Sequence, residues 1–324
     1  MPLQITVLDG HTLNPGDNPW DPVAEHGELT VYDITPPDQI LERARDADIL
    51  LTNKTPLDAS TLAELDDLRF VSVLATGYDV VDVEAAADRG IPVSNVPEYG
   101  TDSVAQHVFA LLLELTNHVA AHDQAVRDGE WADAGEFAYW KHPVVELADK
   151  TLGIVGFGKI GRRTAEIAHA LGMCVVANSR SEDDPAPWFD FEFVSKDELF
   201  ERSDVISLHC PLTDETRHLV DERRLDLAKP SAFLINTARG QLVDSSALAD
   251  ALYDDQIAGA AVDVVEEEPI PRDHPLLDAP RCFVTSHMAW ASVEARRRLM
   301  HTTADNIAAY LDGSPQNVVN PLEA

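Results

Sequence analysis

Short apolar runs bounded by turn-forming residues alternate along the chain with longer segments whose apolar positions recur three and four residues apart. The first pattern predicts strands and the second predicts amphipathic helices. In the first third, strand patterns fall at 4–9, 48–52, 70–75 and 91–94, and helical patterns lie between them at 37–45, 58–66 and 82–88. Loop signals are dense at Asn14-Pro15-Gly16 and Asn18-Pro19-Trp20. Thr101 or Asp102 is placed to cap a long helix in which Val104, Val108, Leu111, Leu112 and Leu115 share helical spacing. Further strand patterns follow at 151–156, 173–178, 191–194, 205–209, 232–236, 257–262 and 282–285. A last helical pattern covers 291–311 and is ended by Gly313 and Pro315. Such alternation predicts an α/β protein with parallel sheets and crossover helices, and no short-period repeat or low-complexity segment interrupts it.

One turn in this alternation carries chemistry. Gly156-Phe157-Gly158-Lys159-Ile160-Gly161 follows the apolar run that starts at Thr151 and opens a helical pattern. In a G-x-G-x-x-G of this setting the first glycine turns the chain off a strand. The second admits a pyrophosphate to the backbone, and the third packs helix on strand. The helix start adds unpaired N–H groups and the positive end of a dipole. A bare G-x-G-x-x-G is weak, but strand before and helix after favour a dinucleotide site over a structural turn. The motif lies mid-chain, so about 150 residues ahead of it must form a separate unit.

Composition narrows the classes. The 324 residues suffice for two domains, and 45% hydrophobic with 25% charged residues describes a globular chain. No apolar run approaches the ~18 residues of a membrane span. Met1 to Gly10 has no basic flank or apolar block of a signal peptide, which leads to the expectation of a cytoplasmic protein. Cys174, Cys210 and Cys282 are widely separated and suit neither a disulfide framework nor a metal site. Charge is the abnormal quantity: 57 acidic against 24 basic residues give −33. Such a surface repels nucleic acid and anionic membranes. Acid-rich composition with lysine confined to Lys54, Lys141, Lys150, Lys159, Lys196 and Lys229 leads to the expectation of a chain adapted to high salt.

Downstream of the glycine turn come Asn236-Thr237-Ala238-Arg239-Gly240, then Asp263-Val264 with Glu266-Glu267-Glu268-Pro269, then Ser286-His287-Met288-Ala289. With Ala75-Thr76-Gly77-Tyr78-Asp79 before them and Asn317-Val318-Val319-Asn320-Pro321 after, this ordered set resembles the D-isomer-specific 2-hydroxyacid dehydrogenase family over essentially the whole chain. Within that family it is most similar to the hydroxypyruvate (glycerate) and glyoxylate reductases. The resemblance implies two Rossmann/flavodoxin-like βα domains with an active site in the cleft between them. Residues 1–100 and 288–324 are expected to form the substrate-binding domain, and 101–287 the dinucleotide-binding domain. It also implies a homodimer built through the nucleotide domains.

The expected reaction is reduction of a small 2-oxoacid to the D-2-hydroxyacid. That chemistry needs a hydride at C2, a proton for the carbonyl oxygen, and a cation for the carboxylate and developing oxyanion. Arg239, at a strand end, offers a planar fork for the carboxylate. His287, also after a strand, is a proton donor suited to neutral pH. Glu268 matches the family position that fixes the imidazole tautomer and favours its protonated form. Taken singly, each has a plainer reading: one of twelve histidines, a surface ion pair, part of an acidic loop. Family order raises all three together.

By the same resemblance, Asp263 receives the nicotinamide amide, with Thr237, Ala238, His287 and Ala289 alongside, and its plainer reading is a turn cap. His209-Cys210-Pro211-Leu212 with Thr216 matches the segment beside the adenosine, where the thiol is wall rather than nucleophile. Thr76 and Gly77 match the backbone N–H groups that take the substrate carboxylate, against a simple turn. Tyr99 and Trp140 are aromatic candidates for the substrate pocket, against a place in the core. No metal site is expected.

Neighbouring families fit less well. Formate dehydrogenases pair their histidine with glutamine, where this chain has Glu268, and phosphite-oxidising relatives place a lysine where it has Thr76. No regulatory domain is expected after Ala324, unlike many phosphoglycerate dehydrogenases. Two rivals remain open: a D-lactate-type dehydrogenase, because Tyr99 matches a tyrosine of those enzymes, and a dinucleotide-sensing corepressor-like interaction protein. For the cofactor, the position that carries an acid in NAD-specific folds is Ser179, followed by Arg180. A hydroxyl and a guanidinium suit a 2′-phosphate, so NADP(H) is expected to be preferred, with NAD(H) possible.

The charge yields a first prediction. Acid–acid repulsion opposes compaction, and a Debye length of ~3 Å at 1 M salt relieves it. The melting temperature is therefore expected to rise with KCl into the molar range, and a flat or falling curve in calorimetry would sink the high-salt reading.

Overall fold

A computed structural model describes residues 2–188 and 191–320. In chain order the first elements are β1 (Gln4–Val7), α1 (Asp21–Ala24), β2 (Glu28–Val31), α2 (Ile40–Ala44), β3 (Ile49–Thr52), α3 (Ala59–Ala63), β4 (Phe70–Val73), α4 (Val83–Asp88) and β5 (Val93–Ser94). Next come α5 (Thr101–Asn117), α6 (Val119–Arg127), α7 (Glu130–Ala134), β6 (Thr151–Val155), α8 (Lys159–Ala170), β7 (Cys174–Asn178), β8 (Phe191–Phe193), α9 (Lys196–Arg202) and β9 (Val205–Leu208). The chain closes with α10 (Glu222–Leu227), β10 (Phe233–Asn236), α11 (Ser245–Tyr253), β11 (Gly259–Val262), β12 (Cys282–Val284) and α12 (Val293–Leu311). Two compact units result, Met1–Gly100 with Trp290–Ala324, and Thr101–Ala289. Pro321 of the closing motif lies outside the described residues.

The first unit is built on a parallel five-stranded sheet of order β2-β1-β3-β4-β5. β1, β3, β4 and β5 are buried on both faces, so successive residues feed opposite cores. Ile49 and Leu51 join Phe70, Leu299 and Ile307 on one side, while Leu50 joins Val71, Ile40 and Leu62 on the other. β2 escapes sequence reading because it is an edge strand in which only alternate positions face protein, giving Glu28-Leu29-Thr30-Val31 no apolar run. Arg296 on α12 is buried and grips Asp17 through two guanidinium nitrogens at 2.5 and 2.7 Å, which ties the loop after β1 to that helix. The same pair holds the Asp17 carboxyl below the usual carboxylate range.

The second unit is a parallel seven-stranded sheet of order β12-β11-β10-β9-β6-β7-β8. Strand order reverses between β6 and β9, where ligands of open α/β sheets bind beyond the carboxyl ends. On one face Ile154, Ile235 and Phe233 pack with Leu112, Leu115 and Ala165 from α5 and α8. On the other, Ile206, Leu234 and Val262 pack with Leu199, Leu225, Leu248 and Leu252 from α9, α10 and α11.

Part of the acidic excess is used locally. Asp58, Asp82, Asp221 and Asp244 each accept a backbone N–H at a helix start, the arrangement that satisfies otherwise orphaned donors. The long helix α5 begins at Thr101 itself, so Thr101 and Asp102 lie inside its first turn rather than ahead of it. His118, in a left-handed conformation, separates α5 from α6. α6 and α7 carry no apolar stripe, with Ala125 their one buried residue among the two, which is why periodicity does not announce them. No helix among the described residues is long and apolar enough to cross a membrane.

Candidate active site

The glycine turn sits at the sheet's switch point, and each glycine meets a different constraint. Gly156 has φ +99°, and a Cβ there would stand 2.5 Å from the backbone nitrogen of Cys210, so the turn presses on the segment after β9. A Cβ on Gly161 would stand 2.3 Å from the Gly156 carbonyl oxygen, which holds α8 close to β6. Nothing lies within 4 Å of a Cβ on Gly158, and no side chain caps α8 there. That exposed backbone at a helix start is the cradle a pyrophosphate needs. Phe157 faces the core against Phe191 and Phe193, with the Arg162 guanidinium 4.5 Å above its ring; Lys159 is exposed and Ile160 half-buried.

The other cofactor candidates border the same strand ends. Ser179, half-buried, directly follows β7, and Arg180 is exposed with no ion pair formed to it among the described residues. The acids beyond are partly engaged: Arg162 meets Asp184 at 3.1 Å. Burial raises the Cys210 thiol above its ordinary range, which keeps it protonated and suits a wall. The Thr216 hydroxyl knots its own loop, donating to the Pro211 carbonyl at 2.8 Å and accepting from the Thr213 N–H at 2.7 Å. Thr237, just after β10, has a buried hydroxyl with no hydrogen-bond partner among the described residues. An orphaned donor at a carboxyl strand end of the same sheet fits a polar ligand such as a dinucleotide.

Asp263 organises the far side. It follows β11, is 1% exposed, and its carboxylate accepts from Thr285 Oγ1 at 2.5 Å and from the N–H groups of Met288 and Ala289, both at 2.9 Å. His107 on α5 stands with Nε2 3.5 Å from the same carboxylate and 3.2 Å from Thr285 Oγ1. Burial raises the Asp263 carboxyl, and the hydrogen bonds from His107, Thr285, Ala289 and Met288 outweigh it, so the net shift is downward. His107 escaped the sequence reading; its signal was a histidine three residues after Val104 and four before Leu111, on the buried stripe of α5.

The Asp263 carbonyl also accepts the N–H of His287 at 2.7 Å. His287 adopts φ 54°, the left-handed region that costs a non-glycine residue. Its Nδ1 lies 2.7 Å from Glu268 Oε2, and Glu268 Oε1 accepts from Val265 N at 3.3 Å. Arg239 follows β10 and donates from Nη1 to the Ala238 carbonyl at 2.8 Å, while Asn236 braces the turn on both sides. The second unit thus places Arg239, Asp263, Glu268 and His287 beyond the carboxyl ends of neighbouring strands and joins Glu268 to His287 directly.

In the first unit, Thr76 and Gly77 lie in the loop after β4, where the Thr76 hydroxyl donates to the Val96 carbonyl at 3.0 Å and the Thr76 carbonyl accepts from Asn95 at 2.7 Å. Tyr99 is buried against Trp290, ring centroids 6.1 Å apart, and Arg298 donates to its carbonyl at 2.9 Å. Trp140, in the second unit, is exposed. No cluster of metal ligands occurs among the described residues.

Residues 109–289 match the family model described as D-isomer specific 2-hydroxyacid dehydrogenase, NAD binding domain. A hydroxypyruvate reductase of Blautia hydrogenotrophica is 44% identical over 98% of this chain and 100% of its own. Among solved structures, an acyclic imino acid reductase in complex with NADPH and D-Arg superposes with a TM-score of 0.86 at 33% identity, covering 98% of this chain and 100% of that one. An NADPH-dependent glyoxylate/hydroxypyruvate reductase of Sinorhizobium meliloti, in complex with NADP and malonate, gives 0.82 at 28% identity, with 98% and 96% covered.

A prediction follows from His209. It keeps some exposure, yet the protein packed around its ring pushes its pKa down to about 4, and Ser207 Oγ lies 2.9 Å from its Nε2. The folded state favours the neutral ring. Its contribution to stability is complete above the unfolded pKa of ~6.5 and is lost as the pH falls toward the folded value. Thermal melts from pH 7 to 4.5 are expected to fall more steeply for the native protein than for His209→Gln; parallel slopes would refute the assignment.

Proposed function

The chain belongs to the D-isomer-specific 2-hydroxyacid dehydrogenase family, and from that premise we propose that it reduces a small 2-oxoacid of the hydroxypyruvate/glyoxylate type, with NADPH preferred over NADH. It is an oxidoreductase that uses a nicotinamide dinucleotide. The observation that carries the proposed chemistry is the 2.7 Å contact between Glu268 and His287 Nδ1.

When bound, the reduced nicotinamide supplies the hydride that goes to C2 of the substrate. The protein supplies the rest. Glu268 accepts the Nδ1 hydrogen bond, which assigns Nε2 as the nitrogen that gives its proton to the carbonyl oxygen. Hydride and proton together convert the carbonyl to the hydroxyl. Arg239 offers two parallel N–H bonds to the substrate carboxylate and balances charge gathering on the reacting oxygen. The N–H groups at Thr76 and Gly77 are proposed to share the carboxylate, with Tyr99 beside them. Asp263 is proposed to receive the nicotinamide amide. In this reading the chain works as a cytoplasmic homodimer, which its mass in solution would check.

His287→Asn is expected to lower kcat by ~10²–10⁴-fold while the Kd for NADPH, read by fluorescence titration, stays within about twofold. Glu268→Gln keeps an acceptor for Nδ1 but removes its charge, so kcat should fall by less than in His287→Asn while Kd for NADPH is held. A His287 variant with native kcat and pH–rate profile would remove the proton-donor role.

Cofactor choice is tested separately. Ser179 and the exposed Arg180, which forms no ion pair among the described residues, support a 2′-phosphate subsite at the end of β7. NADPH should give the higher kcat/KM, mainly through KM, and Ser179→Asp with Arg180→Ala should reverse the order. Equal or better kcat/KM with NADH in the native protein would overturn the preference.

A further inference from the structure

Glu266 stands two residues before Glu268, yet its carboxylate turns away from the His287 contact and reaches the segment that follows Arg239. Its Oε2 accepts from Ser245 Oγ at 2.5 Å and its Oε1 from the Ser245 N–H at 3.2 Å, at the first residue of α11. Buried His274 brings Nε2 to 3.5 Å from Oε2; its Nδ1 accepts from the Leu276 N–H at 3.4 Å, which puts the ring proton on the side of the carboxylate. His218 Nε2 lies 4.0 Å from Oε1 on the more exposed side. The backbone is held as well, because Gln241 Nε2 donates to the Glu266 carbonyl at 3.0 Å.

The two strand-end segments meet back to back at this point. A Cβ on Gly240 would stand 1.9 Å from the Val265 carbonyl carbon and 2.5 Å from the Glu266 nitrogen. Gly240 is the neighbour of Arg239, and Val265 donates to Glu268. The contact therefore sets the residue after Arg239 against the loop that bears Glu268. Backbone contact by itself gives no direction of pull. The Glu266–Ser245 hydrogen bonds do.

We propose that Glu266 is a positioning residue that fixes the Arg239 segment relative to Glu268, and through Glu268 the His287 ring. Its carboxylate is directed to Ser245 and His274 rather than to His287, and it takes no part in proton transfer. The inference rests on the roles proposed above for Arg239, Glu268 and His287, and goes beyond them by assigning their alignment to a fourth side chain.

The experiment compares Glu266→Ala, Glu266→Gln and Ser245→Ala with the native holoenzyme, measuring kcat and KM for hydroxypyruvate across pH, Kd for NADPH, and melting temperature. Misplacement of catalytic groups by an ångström can cost ~10²-fold. Glu266→Ala should lose about that factor in kcat/KM and change the shape of the pH–rate profile, with Kd for NADPH within about twofold. Glu266→Gln, which keeps an acceptor for the Ser245 N–H, should recover most of it. Ser245→Ala keeps Glu266 itself and should lose roughly tenfold, which guards against a fold defect confined to the glutamate variants. Native kcat/KM and profile in Glu266→Ala would overturn the proposal. So would a loss that tracks an equal loss of cofactor affinity and melting temperature while Ser245→Ala behaves as native. A native enzyme that turns over no 2-oxoacid would instead bring down the functional reading on which the proposal stands.

Discussion

A single buried carboxylate holds the candidate site in order. Asp263 is almost inaccessible, and three donors from residues 285–289 converge on it while its own carbonyl takes the His287 N–H. A buried anion is tolerable only when its lone pairs are met, and here they are met by the very loop that must be aimed. The arrangement works in both directions. The loop satisfies the charge, and the charge forces the loop into one path.

The site is thus a set of strand-end loops joined to one another, not a set of separate side chains on a scaffold. Gly156 abuts Cys210 after the neighbouring strand, Gly240 abuts Val265, and Asp263 collects the loop after β12. Parallel register makes this possible, because β9, β10, β11 and β12 deliver their carboxyl ends side by side. Close backbone contact then converts register into rigidity. The acids follow a similar division. Those inside carry specific hydrogen bonds, four aspartates cap helices, and the remainder give the surface its charge.

Much of this was legible in the chain. The inner strands of the second unit were marked by apolar runs, because strands covered on both faces need them, while the edge strand β8 was marked only by the aromatic pair around exposed Glu192. The Arg239, Glu268 and His287 positions were readable only as an ordered set, since each residue type alone is common. What escaped did so for physical reasons. β2 is an edge strand with half its positions in solvent, and α6 and α7 bury almost nothing. Glu266 was masked by its own neighbours, for in Glu266-Glu267-Glu268 sequence cannot say which carboxylate turns inward. His274 and Ser245 join it through tertiary contacts of long separation that leave no spacing pattern.

The left-handed backbone at His287 has a consequence for how this protein can change. At φ 54° an imidazole-bearing residue sits where glycine or asparagine is more comfortable, so stability and the proposed proton donor make opposite demands on one position. Selection for thermal endurance alone would drift toward losing the histidine, and a branched side chain could not replace it without moving the loop. A chain kept only for folding would be free to exchange the residue proposed as proton donor without disturbing the sheet beneath it.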